Sequence, residues 1–296
     1  MVYYIVNPVA GSGKALEAVP VIKRLMDENG ADYSIIYTEK PGDSTRVSRL
    51  IDFNAVSTIV CVGGDGTLQE YVGLAIENDV NLGVIPVGSA NDLLYSLPRS
   101  FTRFRTQEEK TAYYTQRVLQ GKTIDIDAVS VNDRYFLNIA GTGADIHVLR
   151  EALPLKRFFG SAAYFIALIK TVITYTAEKM TLVIDEESES GELLLIAICN
   201  GAYYGGNMKI APPSVIDDGL LTICKVKKML KLKLMAMFPR IKSGGHTRIK
   251  EVSFVNCSTI KLEYNGKKTI NLDGNLFEME SPLIFKVLKN AVSFII

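Results

Sequence analysis

The sequence predicts an α/β plus β protein, with an N-terminal parallel α/β domain followed by a C-terminal antiparallel β-sandwich domain. Three observations predict it. Apolar strand segments alternate with amphipathic helical segments through the first third of the chain. From about Thr123 the pattern changes to many short β segments separated by turn residues. The strand ends of the first part carry glycine-rich loops, and ligands bind at the carboxyl ends of strands in doubly wound sheets.

The first domain opens with an apolar run, Val2 to Val6, ended by Asn7-Pro8. After a glycine-rich turn, Leu16, Val19, Ile22, Leu25 and Met26 recur at helical spacing within Ala15 to Glu28. Tyr33 to Tyr37 follows as a strand, Thr45 to Asp52 as a helix, Thr58 to Val62 as a fully apolar strand, Leu68 to Asn78 as a helix and Leu82 to Ile85 as a strand. In the second domain, strands are expected at 124–131, 135–139, 180–184, 193–200, 220–226, 252–255, 259–264, 269–272 and 283–287. Val131-Asn132-Asp133 and Tyr264-Asn265-Gly266 mark turns between them. Two helices, Phe158 to Thr176 and Val226 to Ile241, interrupt this β region. The domains are set at 1–122, with about 289–296 returning to it, and 123–288. No flexible linker marks the boundary near Gly121, which predicts close packing across a cleft.

The 296 residues suit two domains at about 150 residues each. A 48% apolar content and 22% charge place the chain in the globular range. Lys and Arg number 33 against 32 Asp and Glu, so no global field draws nucleic acid, and no aromatic platform interleaves with basic residues. Cys61, Cys199, Cys224 and Cys257 are scattered without ligand spacing and read as reduced core thiols. Met1 leads directly into a strand with no basic segment or cleavage site, which gives a cytoplasmic address by default. Phe158 to Thr176 carries Lys170 and several polar residues, so a buried helix fits it better than a membrane span. His147 and His246 stand far apart, which leaves little support for a Ser-His-Asp hydrolase or a His-rich zinc site.

The densest chemical signal is Gly63-Gly64-Asp65-Gly66-Thr67-Leu68-Gln69-Glu70. A buried strand enters glycines and then a helix, so backbone N–H groups converge where an anion can sit. Asp65 at this turn suits a Mg²⁺ ion or a hydroxyl proton; the plain alternative is a tight turn with Asp65 as a helix cap. Gly11-Ser12-Gly13-Lys14 looks like the end of a P-loop, but Pro8 occupies the position of its first glycine. The loop still offers amides and Lys14 at a helix start, and an ordinary strand-to-helix loop explains it equally well.

Taken in order, these blocks carry a resemblance. Asn7-Pro8 with Gly11 to Lys14, Gly63 to Thr67 and Ile85-Pro86-Val87-Gly88-Ser89-Ala90-Asn91-Asp92 resemble the signature blocks of the diacylglycerol kinase catalytic domain family, which includes sphingosine kinases and bacterial lipid kinases. Agreement continues through Asn138 to Gly143, Asn200 with Gly205-Gly206 and Ala211-Pro212, Asp217-Asp218-Gly219-Leu220, and Asp273-Gly274 before Pro282. The resemblance covers essentially the whole chain and follows the soluble bacterial diacylglycerol kinase type.

It implies a Rossmann-like first domain, similar to those of phosphofructokinases and NAD kinases, with ATP and a lipid hydroxyl meeting in the cleft. By resemblance, Asn7, Pro8, Val9, Ala10, Gly11 and Lys14, then Thr38, then Gly63 to Glu70 (Gly63, Gly64, Asp65, Gly66, Thr67, Leu68, Gln69, Glu70) and Ser89 contact the nucleotide, with Asn91 and Asp92 supporting that loop. Asp65 helps to hold the catalytic Mg²⁺. A structural Mg²⁺ is implied at Val215, Asp218 and Leu220, the outer two through backbone carbonyls. On residues alone, Asp217-Asp218-Gly219 reads equally as a hairpin turn.

The departures bear on activity. Relatives usually carry Asp-Gly-Glu where this chain has Asp273-Gly274-Asn275, and an amide lacks the basic lone pair for a general base. Asp273 or Asp65 is then expected to substitute, Asp273 being the choice for contact with the acceptor hydroxyl; the alternative is weak chemistry. Gln69 and Gly73 stand where asparagines are usual, and Ser89 where threonine is frequent.

The expected activity is ATP-dependent phosphorylation of a lipid hydroxyl, foremost diacylglycerol. Sphingoid bases, another lipid, or an NAD-like soluble acceptor remain alternatives, as does a nucleotide- or lipid-binding regulator without turnover. A homodimer is compatible with this reading. Between Lys225 and Lys250 lie nine Lys or Arg and no acid, with Val226, Met229, Leu230, Leu234, Met237, Phe238 and Ile241 at helical spacing. Such a helix would lie on an anionic membrane at the inner face, or cover the β domain with a solvated basic side. Pro154 to Thr176 would line an acyl pocket or simply pack in the core.

Overall fold

In a computed structural model, residues 1–98, 104–159 and 162–296 are described. The chain divides into two units, residues 1–128 with 288–296 and residues 129–287.

The first unit is built on parallel strands. β1 (Val2–Val6) pairs in parallel with both β2 (Tyr33–Tyr37) and β3 (Thr58–Gly63). β4 (Asn81–Pro86) adds beside β3, also in parallel. Every residue of β3 is buried, which is why it reads as an unbroken apolar run: both its faces are covered. Helix α1 (Lys14–Glu28) lays Ala15, Ala18, Val19, Ile22 and Met26 against Tyr4, Val60 and Ile85. Short α2 (Ser44–Ser48) and the longer α3 (Asp65–Asn78) follow β2 and β3. After β4 come the one-turn α4 (Leu93–Ser96) and α5 (Gln107–Gln120).

The sequence reading has no helix at 107–120. α5 buries Thr111 and Thr115, whose hydroxyls bond back to the carbonyls of Gln107 and Thr111, so its inner stripe is partly polar and hidden from an apolar count. Thr106 caps it by accepting from the Glu109 N–H at 3.0 Å. β5 (Thr123–Val131) then leads out of the first unit.

The second unit is antiparallel. Its strands are β6 (Arg134–Phe136), β7 (Ile139–Gly143), β8 (Glu178–Ile184), β9 (Glu187–Cys199), β10 (Leu221–Lys227), β11 (Val252–Cys257), β12 (Thr259–Glu263), β13 (Lys267–Leu272), β14 (Asn275–Glu280) and the start of β15 (Leu283–Ile295). The long β9 pairs with β8 through its first half, and with β7 and β10 through its second. This branching yields the sandwich, whose core contains Phe136, Met180, Ile196, Ile198, Ile223, Ile260, Leu272 and Phe285. The end of β15 returns to the first unit, pairing Phe294 with Leu82 of β4 in parallel, as expected for the C-terminal tail.

The helices of this unit differ from expectation. Residues 144–159 form α6 (Ala144–Phe159) with Pro154 inside it, and α7 (Ala162–Thr174) follows. Residues 160–161 of the expected helix, and the side chains of Phe158, Phe159 and Phe238, lie outside the described residues. The helix expected from Val226 instead begins at Lys231 as α8 (Lys231–Ile241), because residues through Lys227 are held in β10 by ladders to β9 and β11. All four cysteines are buried and free. No described helix is long and apolar enough to cross a membrane.

Candidate functional site

Three loops of the first unit meet at the carboxyl ends of β1, β3 and β4. The N–H of Asn7 donates to the Val62 carbonyl, and its side-chain amide donates to Thr67 Oγ1 at 3.0 Å. The amides of Val87 and Gly88 both donate to the Gly63 carbonyl. A methyl group on Gly88 would lie 2.5 Å from the Gly64 Cα, and one on Gly11, which has φ +61°, would lie 2.1 Å from the Val87 carbonyl oxygen. Glycine is therefore required where these backbones touch.

Asp65 opens α3 with Gly64 as the extended N-cap. Its two carboxylate oxygens accept from the Asp92 N–H at 2.9 Å and the Leu93 N–H at 3.1 Å. Burial, and secondarily the charge of Asp92, push the Asp65 carboxyl up to about 6. A divalent cation between these carboxylates would relieve that cost, and two carboxylates with water are a donor set suited to Mg²⁺. The positive end of α3 and the exposed amides of the turn favour phosphate at the same place.

The other expected nucleotide contacts are placed unevenly. Gly66 opens the first turn of α3 beside Asp65. Thr38 continues from β2, with its N–H donating to the Val6 carbonyl. Pro8, Val9, Ala10 and Ser89 are partly or fully exposed between the regular elements, and the exposed Lys14 opens α1. Asn91 adopts φ +56° and donates from its side chain to the Gly88 carbonyl at 2.8 Å. Glu70 accepts the Gly42 N–H at 3.0 Å. Leu68 and Gln69 are buried on α3, and the Leu68 N–H donates to the Gly64 carbonyl at 3.0 Å.

In the second unit, Asp273 and Gly274 form the two-residue turn between β13 and β14, both with positive φ, as in a type I′ hairpin. Asp273 is 7% exposed and its carboxylate accepts backbone N–H groups of Leu137, Asn138 and Ile139 at 2.8–3.2 Å. Both oxygens are engaged with backbone, so Asp273 positions the 137–139 segment. Asn275 begins β14, half-buried. Around the turn, Asn138 donates to the Tyr203 carbonyl and Asn200 to the Leu137 carbonyl, each at 2.7 Å.

Residues 1–131 match the diacylglycerol kinase catalytic domain, and residues 138–296 match the YegS C-terminal NAD kinase beta sandwich-like domain. The chain belongs to the diacylglycerol kinase catalytic domain family. It is similar to the diacylglycerol kinase of Bacillus subtilis (strain 168), 28% identical over 276 residues covering 91% of this chain and 88% of that one. The diacylglycerol kinase of Mycobacterium tuberculosis (strain ATCC 25618 / H37Rv) is 28% identical over 88% of this chain and 84% of its own. A crystal structure of a diacylglycerol kinase from Bacillus anthracis str. Sterne superposes with TM-score 0.74 at 25% identity, covering 99% of this chain and 96% of that chain.

Set against this family's metal expectation, the 215–220 segment offers one exposed turn. Asp218 Oδ1 accepts the Leu220 N–H at 2.9 Å and Gly219 takes φ +79°. No three His, Cys, Asp or Glu side chains gather for a metal among the described residues. An ion here would rely on Asp218, backbone carbonyls and water, an all-oxygen set that fits Mg²⁺ in type.

One acidic residue escaped the sequence reading. β7 ends at Gly143, with φ +116°, and α6 starts with Ala144 and Asp145. This repeats the strand, glycine, aspartate, helix order of Gly63 to Asp65, and that repetition was the available signal. Tyr204 donates its hydroxyl to Asp145 Oδ2 at 3.3 Å, Asn271 donates to the Tyr204 hydroxyl, and Asp145 Oδ1 is enclosed without a partner. Burial pushes this carboxyl up to about 6.

Proposed function

We propose that this protein is an ATP- and Mg²⁺-dependent lipid kinase that transfers the γ-phosphoryl group to the hydroxyl of diacylglycerol, giving phosphatidic acid. The observation that carries the reading is Asp65, anchored by the Asp92 and Leu93 amides where three glycine loops meet. The amides of the 63–67 turn and the α3 N-terminus would hold the phosphates, and Asp65 and Asp92 would hold Mg²⁺. Bound Mg²⁺ supplies neutralisation of charge on the transferred group. Phosphoryl transfer rests mainly on positioning and charge stabilisation, so the amide at Asn275 is compatible with turnover. The proposed setting is the cytoplasmic face of a membrane, where the acceptor resides.

A second reading is favoured by Asn275 itself: a nucleotide- or lipid-binding regulator that has lost its base. The test is transfer of labelled γ-phosphate from ATP to diacylglycerol, sphingoid base, phosphatidylglycerol and NAD in mixed micelles, with Asp65→Ala and Asn275→Glu beside the parent. Labelling of diacylglycerol that Asp65→Ala abolishes supports the kinase. A silent parent beside an active Asn275→Glu supports the regulator, and labelling of a different acceptor replaces the substrate.

A further inference from the structure

Helix α8 carries two apolar stripes. One, Leu234, Met237 and Ile241, faces the core with Cys224, Val226 and Val252. The other, Leu232, Met235, Ala236 and Pro239, faces outward, and Leu230 precedes it at the N-cap. Leu232 is 83% exposed and Leu230 79%. Lys231 donates its ammonium to the carbonyl of Ile173, near the end of α7, which brings the 58%-exposed Ile173 beside this stripe. Soluble surfaces tolerate scattered apolar residues, but adjacent large aliphatic side chains at such exposure mark an interaction surface.

Charge identifies the partner. The chain is balanced overall, yet 225–250 holds nine cations and no acid. Among the described residues, Lys231, Arg240, Lys242, Arg248 and Lys250 form no ion pair with a carboxylate. Exposed aliphatic residues in a segment rich in cations match a bilayer with anionic headgroups, since apolar groups enter the acyl boundary while ammonium groups stay at the phosphates. We infer that Leu230, Leu232 and Met235, flanked by Ile173, form a shallow insertion surface for an anionic membrane. Leu232 and Met235 lie on the outward stripe of α8, which the helical spacing of Leu230, Leu234, Met237 and Ile241 does not include. This inference rests on the lipid kinase reading for its purpose and on the α8 surface for its content.

The test is co-sedimentation of the full chain with phosphatidylcholine vesicles and with vesicles of phosphatidylcholine and phosphatidylglycerol, at low and high salt. The parent should bind the anionic vesicles preferentially and lose binding as salt rises. Leu230→Ser/Leu232→Ser/Met235→Ser should weaken association roughly tenfold or more with unchanged circular dichroism. Lys231→Gln/Lys242→Gln should weaken it and flatten the salt dependence. A parent that ignores anionic vesicles, or a triple variant that binds like the parent, overturns the surface. So does a parent that is dimeric without lipid while the triple variant is monomeric and binds vesicles equally, which makes the stripe an interface between copies. Activity in detergent micelles is read separately. Vesicle binding without phosphorylation defeats the kinase reading alone, and micellar activity without vesicle binding defeats this one alone.

Discussion

Asp65 accepts a hydrogen bond from the backbone of Asp92 while the Asp92 side-chain charge opposes its ionisation. The amide fixes where the carboxylate sits, and the neighbouring charge makes that position costly without a cation.

That relationship has a pH signature. The Asp65 carboxyl lies near 6 in the fold against 3.8 ordinarily, so the folded chain binds the proton more tightly than the unfolded chain. Its stabilising contribution is full below pH 3.8 and disappears as pH rises through about 6. Ligand-free thermal melts should decline over that window, and less so in Asp65→Asn. Phosphotransfer should show the opposite slope, falling as pH drops through about 6, with added Mg²⁺ moving the midpoint lower. Melting and rate profiles against pH check both.

Two glycines of one loop should respond differently. Gly11→Ala would drive a methyl into the Val87 carbonyl and force backbone movement, with an expected loss of about 3 kcal/mol and of nucleotide affinity. Gly13→Ala meets nothing within 4 Å and bears only the strain of φ +95°, about 1 kcal/mol. Urea unfolding and nucleotide titration separate the two.

Asp273 and Asn275 should divide stability from activity. Asp273→Ala strands the amides of Leu137, Asn138 and Ile139, with an expected cost of about 3 kcal/mol or more. Asn275→Glu should leave stability within about 0.5 kcal/mol and raise kcat up to about a hundredfold, as a positioned base does. Denaturant melts and initial rates on both variants decide.

Asp145→Asn should stabilise the chain at pH 8 by on the order of 1 kcal/mol, because it removes a carboxylate whose burial disfavours the charged form. The gap should narrow as pH falls through about 6 and close only by about pH 3.8, where the carboxyl is protonated in the unfolded chain as well. Thermal melts at the two pH values provide the check.

Much of the first unit was legible because its strands are continuous apolar runs and its helices carry a 3.6-residue stripe, as β3 and α1 do. The glycine loops were legible as a pattern, since strand, glycines and helix must appear in that order for backbone amides to converge. Helix α5 was hidden by its buried threonines, and α6 by Pro154. The start of α8 was misread because Val226 fits a helical period and a strand ladder alike.

The sequence by itself determined the fold class, the family and the Gly63–Thr67 turn, because these depend on local periodicity and on residue types at short spacing. Tertiary structure alone decided three matters: that Asp273 serves the 137–139 backbone, that Asp65 is charged against Asp92, and that α8 turns Leu232 outward while Met237 turns inward. Each depends on which distant segment lies against a residue, and burial and electrostatic cost are properties of that neighbour rather than of the residue alone.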